Sequence, residues 1–168
     1  MNTAATQERQ GTGARSAVAP GVSPAVSSAE PRLDAARQAA PGNPSVSVVI
    51  PVFNEYDNLH DLVDQVAAAM APLVSDGRTF ELLLIDDGSN DDSRTLLAEL
   101  AATRPWLLPL TLIRNYGQAT ALQAGFDHAR GDYVVTLDGD LQNDPVEIPR
   151  LLAMLDADPK IDAVSGWR

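Results

Sequence analysis

"FELLLIDDGSNDDSRTLLAELAAT", residues 80–103, changes its apolar rhythm halfway along. Residues 80–86 form a run of strand length that is apolar at nearly every position. From Asn90 onward the apolar residues recur three and four apart, as on a helix that buries one face. Asp86, Asp87, Gly88 and Ser89 make a polar corner between the two, and Ser89 or Asn90 can cap a helix that begins near Asp91. A strand without polar alternation is one covered on both faces, which is the habit of parallel sheets.

The same unit repeats on either side. "VSVVIPV" (46–52), "LPLTLIR" (108–114), "DYVVTLD" (132–138) and "IDAVSG" (161–166) have strand length and are rich in Val, Ile and Leu. "NEYDNLHDLVDQVAAAMA", "GQATALQAGFDHA" and "PVEIPRLLAMLDA" carry the helical spacing. Pro72, Pro105 and Pro159 punctuate after helices, and Pro145 suits a first helical turn. Strand and helix in strict alternation predict an α/β, Rossmann-like fold with a mainly parallel sheet of five strands flanked by helices. The 168 residues suffice for one domain, placed at 45–168. Residues 1–44, mostly small and polar and without apolar periodicity, read as a disordered tail.

Composition removes several functions. There is no cysteine, which excludes disulfides and thiolate metal sites. No apolar run reaches the length of a bilayer span, and Gly, Pro, Ser and Gln interrupt every candidate secretory core near the N-terminus. Residues 45–168 carry eight basic side chains against twenty acidic ones, a balance that repels nucleic acid. An anionic ligand would need help from a helix N-terminus or a metal cation.

In open parallel sheets ligands bind beyond the carboxyl ends of the strands. Those ends are Pro51–Glu55, Asp86–Ser89, Arg114–Gly117, Asp138–Gln142 and Gly166–Arg168. In "DGDLQND" (138–144), Asp138 and Asp140 flank the pliable Gly139 and Gln142 adds a carbonyl oxygen, a hard donor set that suits Mg²⁺ or Mn²⁺ beside a diphosphate. A solvated turn is the alternative, and Asp144 before Pro145 reads as a helix cap with Glu147 as a first-turn acid. A calcium loop starting at Asp138 fails, because it would need Gly and Glu where Asn143 and Pro149 stand. An aspartyl-phosphate enzyme would carry its Asp-x-Asp after the first strand, not the fourth.

Asp86 and Asp87 can accept hydrogen bonds from a base or ribose, or serve only the turn. Phe53 either flanks a nucleobase or packs in the core, with Glu55 placed near a ribose. Arg114 and Arg168 are cations that can face phosphates, and Gly117 opens a helix whose amides favour an anion. Tyr116 reads as packing, and His60 and His128 lack ligand spacing.

"VVIPVFNE", "LLIDDGSNDDS", "IRNYGQATALQAGFDHARGDYVVTLDGDLQNDPVEIP" and "AVSGWR", in that order, resemble the family 2 glycosyltransferases of GT-A fold, continuously over residues 46–168. Together they look like the bacterial polyprenyl-phosphate glycosyltransferases and dolichol-phosphate mannosyltransferases. The resemblance implies inverting transfer of a sugar from a UDP- or GDP-sugar to a lipid phosphate with Mg²⁺ or Mn²⁺. It places Pro51, Phe53, Glu55 and Asp86 around the nucleoside, Asp138 beside diphosphate and metal, and Asp140 and Gln142 on the metal, with Arg stabilising the departing nucleoside diphosphate. Transfer to a polysaccharide hydroxyl, which would need a carboxylate base, and a non-catalytic nucleotide-sugar-binding module are the competing expectations. Such relatives continue beyond the residue matching Arg168, so the expectation is the donor-binding, N-terminal portion of a catalytic domain. Its full-length form would work at the cytoplasmic face of a membrane, and the piece alone would be cytoplasmic.

Overall fold

The computed structural model describes residues 43–166. The tail expected over residues 1–44 lies outside them save for Asn43 and Pro44, and Arg168 lies outside them too. The order is β1 (Val46–Val52), α1 (Leu59–Ser75), β2 (Phe80–Asp86), α2 (Ser93–Ala102), β3 (Leu107–Thr111), α3 (Gln118–His128), β4 (Tyr133–Thr136), a 3₁₀ turn (Pro145–Glu147) and α4 (Ile148–Ala157). All strand pairs are parallel and the sheet runs β3-β2-β1-β4.

Every residue of β1 is buried, as a run apolar at every position but Ser47 required. Val46, Val48, Ile50 and Val52, with Leu82 and Leu84, turn to the face covered by α1, α2 and α4. Val49, Leu83 and Ile85 turn the other way, against Ala121 and Ala124 of α3. Each fully buried Leu or Ile contributes about 1.5–3 kcal/mol over an exposed one. Small side chains let α3 lie close to the sheet, and a Cβ on Gly125 would stand 2.3 Å from Val49 Cγ1.

One carboxylate interrupts the apolar run of β2. Glu81 is buried and accepts from Ser47 Oγ at 2.6 Å and from the Arg130 N–H at 2.9 Å, while Ser47 Oγ accepts from the Gly131 N–H at 2.8 Å. These bonds satisfy a charge that would otherwise be costly to bury, and they fix the α3–β4 connection at the amino end of the sheet.

The structure corrects several boundaries. The fifth strand expected at 161–166 is absent: those residues pair with no strand, and Ile161 N–H closes a turn onto Asp158 O at 3.0 Å. Apolar content favours a strand, but only a hydrogen-bonded neighbour makes one, and β4 pairs with β1 alone among the described residues. Pro72 lies inside α1 rather than after it. The Ala68 carbonyl that Pro72 leaves without a helical N–H is on an exposed turn, where water can serve it. Helix α2 begins at Ser93, not near Asp91, and its N-cap is Asp92. Strand β3 starts one residue early and ends at Thr111, and β4 is trimmed to four residues.

Candidate active site

The site arises where the sheet splits. Strand β2 follows β1 to its end at Val52, whereas β4 follows it only from Val46 to Val49. On the β4 side Ser45 O accepts from Tyr133 N–H at 3.1 Å and Val49 O from Leu137 N–H at 3.4 Å. Pro51 is next in that series and has no N–H to give, so the ladder lapses there. The connection from β1 to β2 runs over one face and the one into β4 over the other, so the gap lies at the topological switch point.

A cavity of about 450 Å³ fills the gap, lined among others by Phe53, Glu55, Asp87, Gln118, Asp138 and Asp140. Pro51, Gly117 and Gly139 complete the expected residues that it gathers. Gly139 is wedged against β1: a Cβ there would come within 2.8 Å of Val52 Cγ1 and 3.0 Å of Pro51 O. Phe53 is 41% exposed at this rim and is not part of the core.

A second cavity, of about 460 Å³, adjoins the first through Asp138 and is lined also by Gln142, Asn143, Leu122 and Leu151. Gln142 therefore shares a cavity with Asp138 but not with Asp140; its backbone N–H instead donates to Asp140 Oδ1 at 3.1 Å. Leu141 between them holds a left-handed φ of 60°, a strained state for a branched side chain and the cost of the tight acidic turn. As expected, Asp144 caps the following turn, accepting from Val146 N–H at 2.9 Å.

The two adjacent aspartates at the end of β2 part company. Asp87 faces the cavity and accepts from the N–H groups of Tyr116 and Gly117, at 2.8 Å on either oxygen. Asp86 is wholly buried and lines neither cavity. Its Oδ1 accepts from Ser89 N–H at 2.9 Å, and its Oδ2, without a hydrogen-bond partner, faces Arg94 Nε at 3.6 Å. Arg114 is exposed, stacks over the Tyr116 ring at 4.8 Å and lines neither cavity.

Sequence reasoning missed the residues that support the rim. Asn54 has a left-handed φ of 56° and accepts from Asn90 N–H at 2.9 Å through Oδ1, while its own N–H donates to Ser89 Oγ at 2.9 Å. Tyr56 N–H reaches Asp91 Oδ2 at 3.3 Å. Ser89 and Asn90 thus clamp the loops after β1 and β2 together instead of capping α2. Gln118 and Asn115 also line the first cavity, and the only sequence signal for Gln118 was its place one residue past a strand-end loop.

No Lys or Arg among the described residues lines the first cavity, while Glu55, Asp87, Asp138 and Asp140 do. Among the described residues no three acidic or His side chains are grouped to hold a metal by themselves. Two carboxylates on one turn fit a hard divalent ion that keeps positions for water and phosphate oxygens.

The parallel four-stranded sheet flanked by helices, in likeness to solved glycosyltransferases, is a GT-A type fold. The chain belongs to glycosyl transferase family 2, whose sequence model matches residues 47–168. It is 54% identical over 112 residues to the undecaprenyl-phosphate 4-deoxy-4-formamido-L-arabinose transferase of Klebsiella pneumoniae subsp. pneumoniae, and 50% identical over 113 residues to that of Enterobacter sp.. Either alignment takes in 66% of this chain and 33% of the relative, so the chain spans about a third of their length. In fold it is similar to the mannosyltransferase PcManGT from Pyrobaculum calidifontis, solved with GDP-Man and Mn²⁺. That match has a TM-score of 0.60 and 23% identity, and covers 79% of this chain and 41% of that one. It is also similar to S. aureus TarS 1–349 in complex with UDP-GlcNAc, with a TM-score of 0.56 and 22% identity over 67% of this chain and 31% of that one. Among the described residues no helix is long and apolar enough to cross a membrane.

Proposed function

We propose that this chain is the donor-binding part of an inverting glycosyltransferase that moves a sugar from a nucleoside-diphosphate sugar to a polyprenyl phosphate with the help of Mg²⁺ or Mn²⁺. The observation that carries the reading is the cavity at the β1–β4 split, where Asp138 and Asp140 meet Phe53, Glu55 and Asp87 with no basic side chain among the described residues of the lining. Such a surface repels a bare diphosphate, so a donor with that group needs a cation between it and the acids.

Phe53, at the rim, offers a ring face to a nucleobase, and Glu55 and Asp87 offer acceptors to its N–H groups or to ribose hydroxyls. Asp138 and Asp140 would hold the metal, with Gln142, beside Asp138 in the adjoining cavity, as a further oxygen donor. The bound ion supplies charge stabilisation to the departing nucleoside diphosphate. An acceptor phosphate is already an oxyanion at neutral pH: its oxygen bonds to the anomeric carbon as the carbon–diphosphate oxygen bond breaks, and no general base is required. Inversion follows from attack opposite the leaving group. The residues of this chain act by binding and orienting the two partners. The names of the 54% and 50% identical relatives support the lipid phosphate acceptor, and such a lipid places the reaction at a bilayer surface, which we assign to the cytoplasmic side.

The test is incubation with labelled UDP- and GDP-sugars, Mn²⁺ and undecaprenyl phosphate, followed by extraction of the lipid. Label in the lipid phase, abolished by chelation, supports transfer. Metal-dependent donor binding without label in the lipid would reduce the chain to a binding module, and absence of both would overturn the reading.

A further inference from the structure

The turn that carries Asp138 is held from two sides by amides. Gln118 Nε2 donates to Asp138 Oδ1 at 2.8 Å, and Asn143 Nδ2 donates to Asp138 Oδ2 at 2.9 Å. Gln118 is the first residue of α3 and lines the first cavity, whereas Asn143 lies beyond the acidic turn and lines the second. Asp138 is the wall between them. We propose that Gln118, opposed by Asn143, is a positioning residue that sets the Asp138 carboxylate for cation and diphosphate, an inference that rests on the donor-site reading above.

Three features carry it. One amide donated to either oxygen of an ionised carboxylate holds the plane of the group. The anchor of Gln118 is itself held, because the N–H of the preceding Gly117 donates to Asp87 Oδ2 at 2.8 Å. The corner after β2 and the turn after β4 are therefore joined through the start of α3, along the lining of the cavity. Finally, Gln118 is exposed, so the ordering of a long side chain onto Asp138 is not imposed by core packing. Groups that hydrogen-bond to metal-ligating carboxylates orient them, and their loss typically weakens metal binding by about 10–100-fold.

The experiment measures Mn²⁺ uptake, from the loss of the free-ion electron paramagnetic resonance signal, with saturating UDP or GDP, in the wild type, Q118A, Q118E and N143A. Thermal melting of each variant is followed in parallel. The expected result is binding weaker by about tenfold in Q118A and N143A, and weaker still in Q118E, with melting temperatures close to the wild type. Q118E keeps the size of the side chain but turns a donor into a carboxylate facing Asp138, so a packing role would leave it near the wild type. Wild-type uptake matched by both Q118A and Q118E would overturn this inference alone. A wild type that takes up no Mn²⁺ with either nucleotide would overturn the donor-site reading and this inference together.

Discussion

The Gly117 N–H donates to Asp87 Oδ2 at 2.8 Å, while the neighbouring Tyr116 N–H occupies Oδ1. Asp87 is 3% exposed, so this buried carboxylate ties the segment that leads into α3 to the corner after β2. An asparagine at 87 can accept on one side only and would set an NH₂ group against a backbone N–H on the other. D87N is expected to lose about 1–3 kcal/mol of stability, the cost of one buried unsatisfied donor. Thermal melting checks it, through a fall of about 2–8 °C for a domain of this size.

Gly125 lets α3 touch the sheet. A Cβ there would meet Val49 Cγ1 at 2.3 Å and Ile85 Cδ1 at 2.9 Å. G125A is expected to cost about 1–3 kcal/mol by overpacking. Urea unfolding of G125A, V49A and the double variant is expected to show a favourable coupling of about 0.5–3 kcal/mol, since V49A removes the methyl that clashes. Strict additivity would show that the helix does not sit where the structure places it.

Asn54 is left-handed and also accepts from Asn90 N–H. N54A loses the acceptor and adds backbone strain of about 1–2 kcal/mol, whereas N54G loses the acceptor but relieves the strain. Stability is expected to fall in the order wild type, N54G, N54A, with faster amide exchange at Asn90 in both variants. N54D, which keeps an acceptor and tolerates the same backbone, is expected to restore the protection.

The clamp also carries a pH dependence through Asp91. Burial alone would raise its pKa, but hydrogen bonds from Ser93 and from the Tyr56 backbone N–H outweigh that and hold the carboxyl below its ordinary 3.8. A carboxyl depressed on folding stabilises the folded state above its unfolded value, and the contribution is lost as pH falls through the folded one. The stability advantage of the wild type over D91N is therefore expected to be present at neutral pH and to shrink as pH drops below 3.8, measured by denaturant unfolding at each pH.

Much of this fold was legible in the sequence because burial on both faces leaves a continuous apolar run. Val46–Val52 and Phe80–Asp86 were read to the residue for that reason. The reading failed where pairing decides. Ile161–Gly166 has strand composition and no ladder, and the Pro72 break was overridden by an exposed last turn of α1. The site was legible as a set of strand ends, which brought Pro51, Phe53, Glu55, Asp87, Gly117, Asp138, Gly139 and Asp140 into one lining. Contacts between distant loops were not: the bonds from Gln118 to Asp138 and from Asn54 to the Ser89–Asn90 corner depend on sheet order, which no local pattern encodes.

Binding of nucleotide through a divalent ion on Asp138 and Asp140 is the step on which the proposed function depends. Calorimetric titration of UDP and GDP, with and without Mn²⁺, into the wild type and D140A tests it most directly. The wild type is expected to bind one of the nucleotides well only with Mn²⁺, and D140A to weaken that binding by about tenfold or more with its metal dependence lost. Equal Mn²⁺-dependent binding in the two proteins would contradict it.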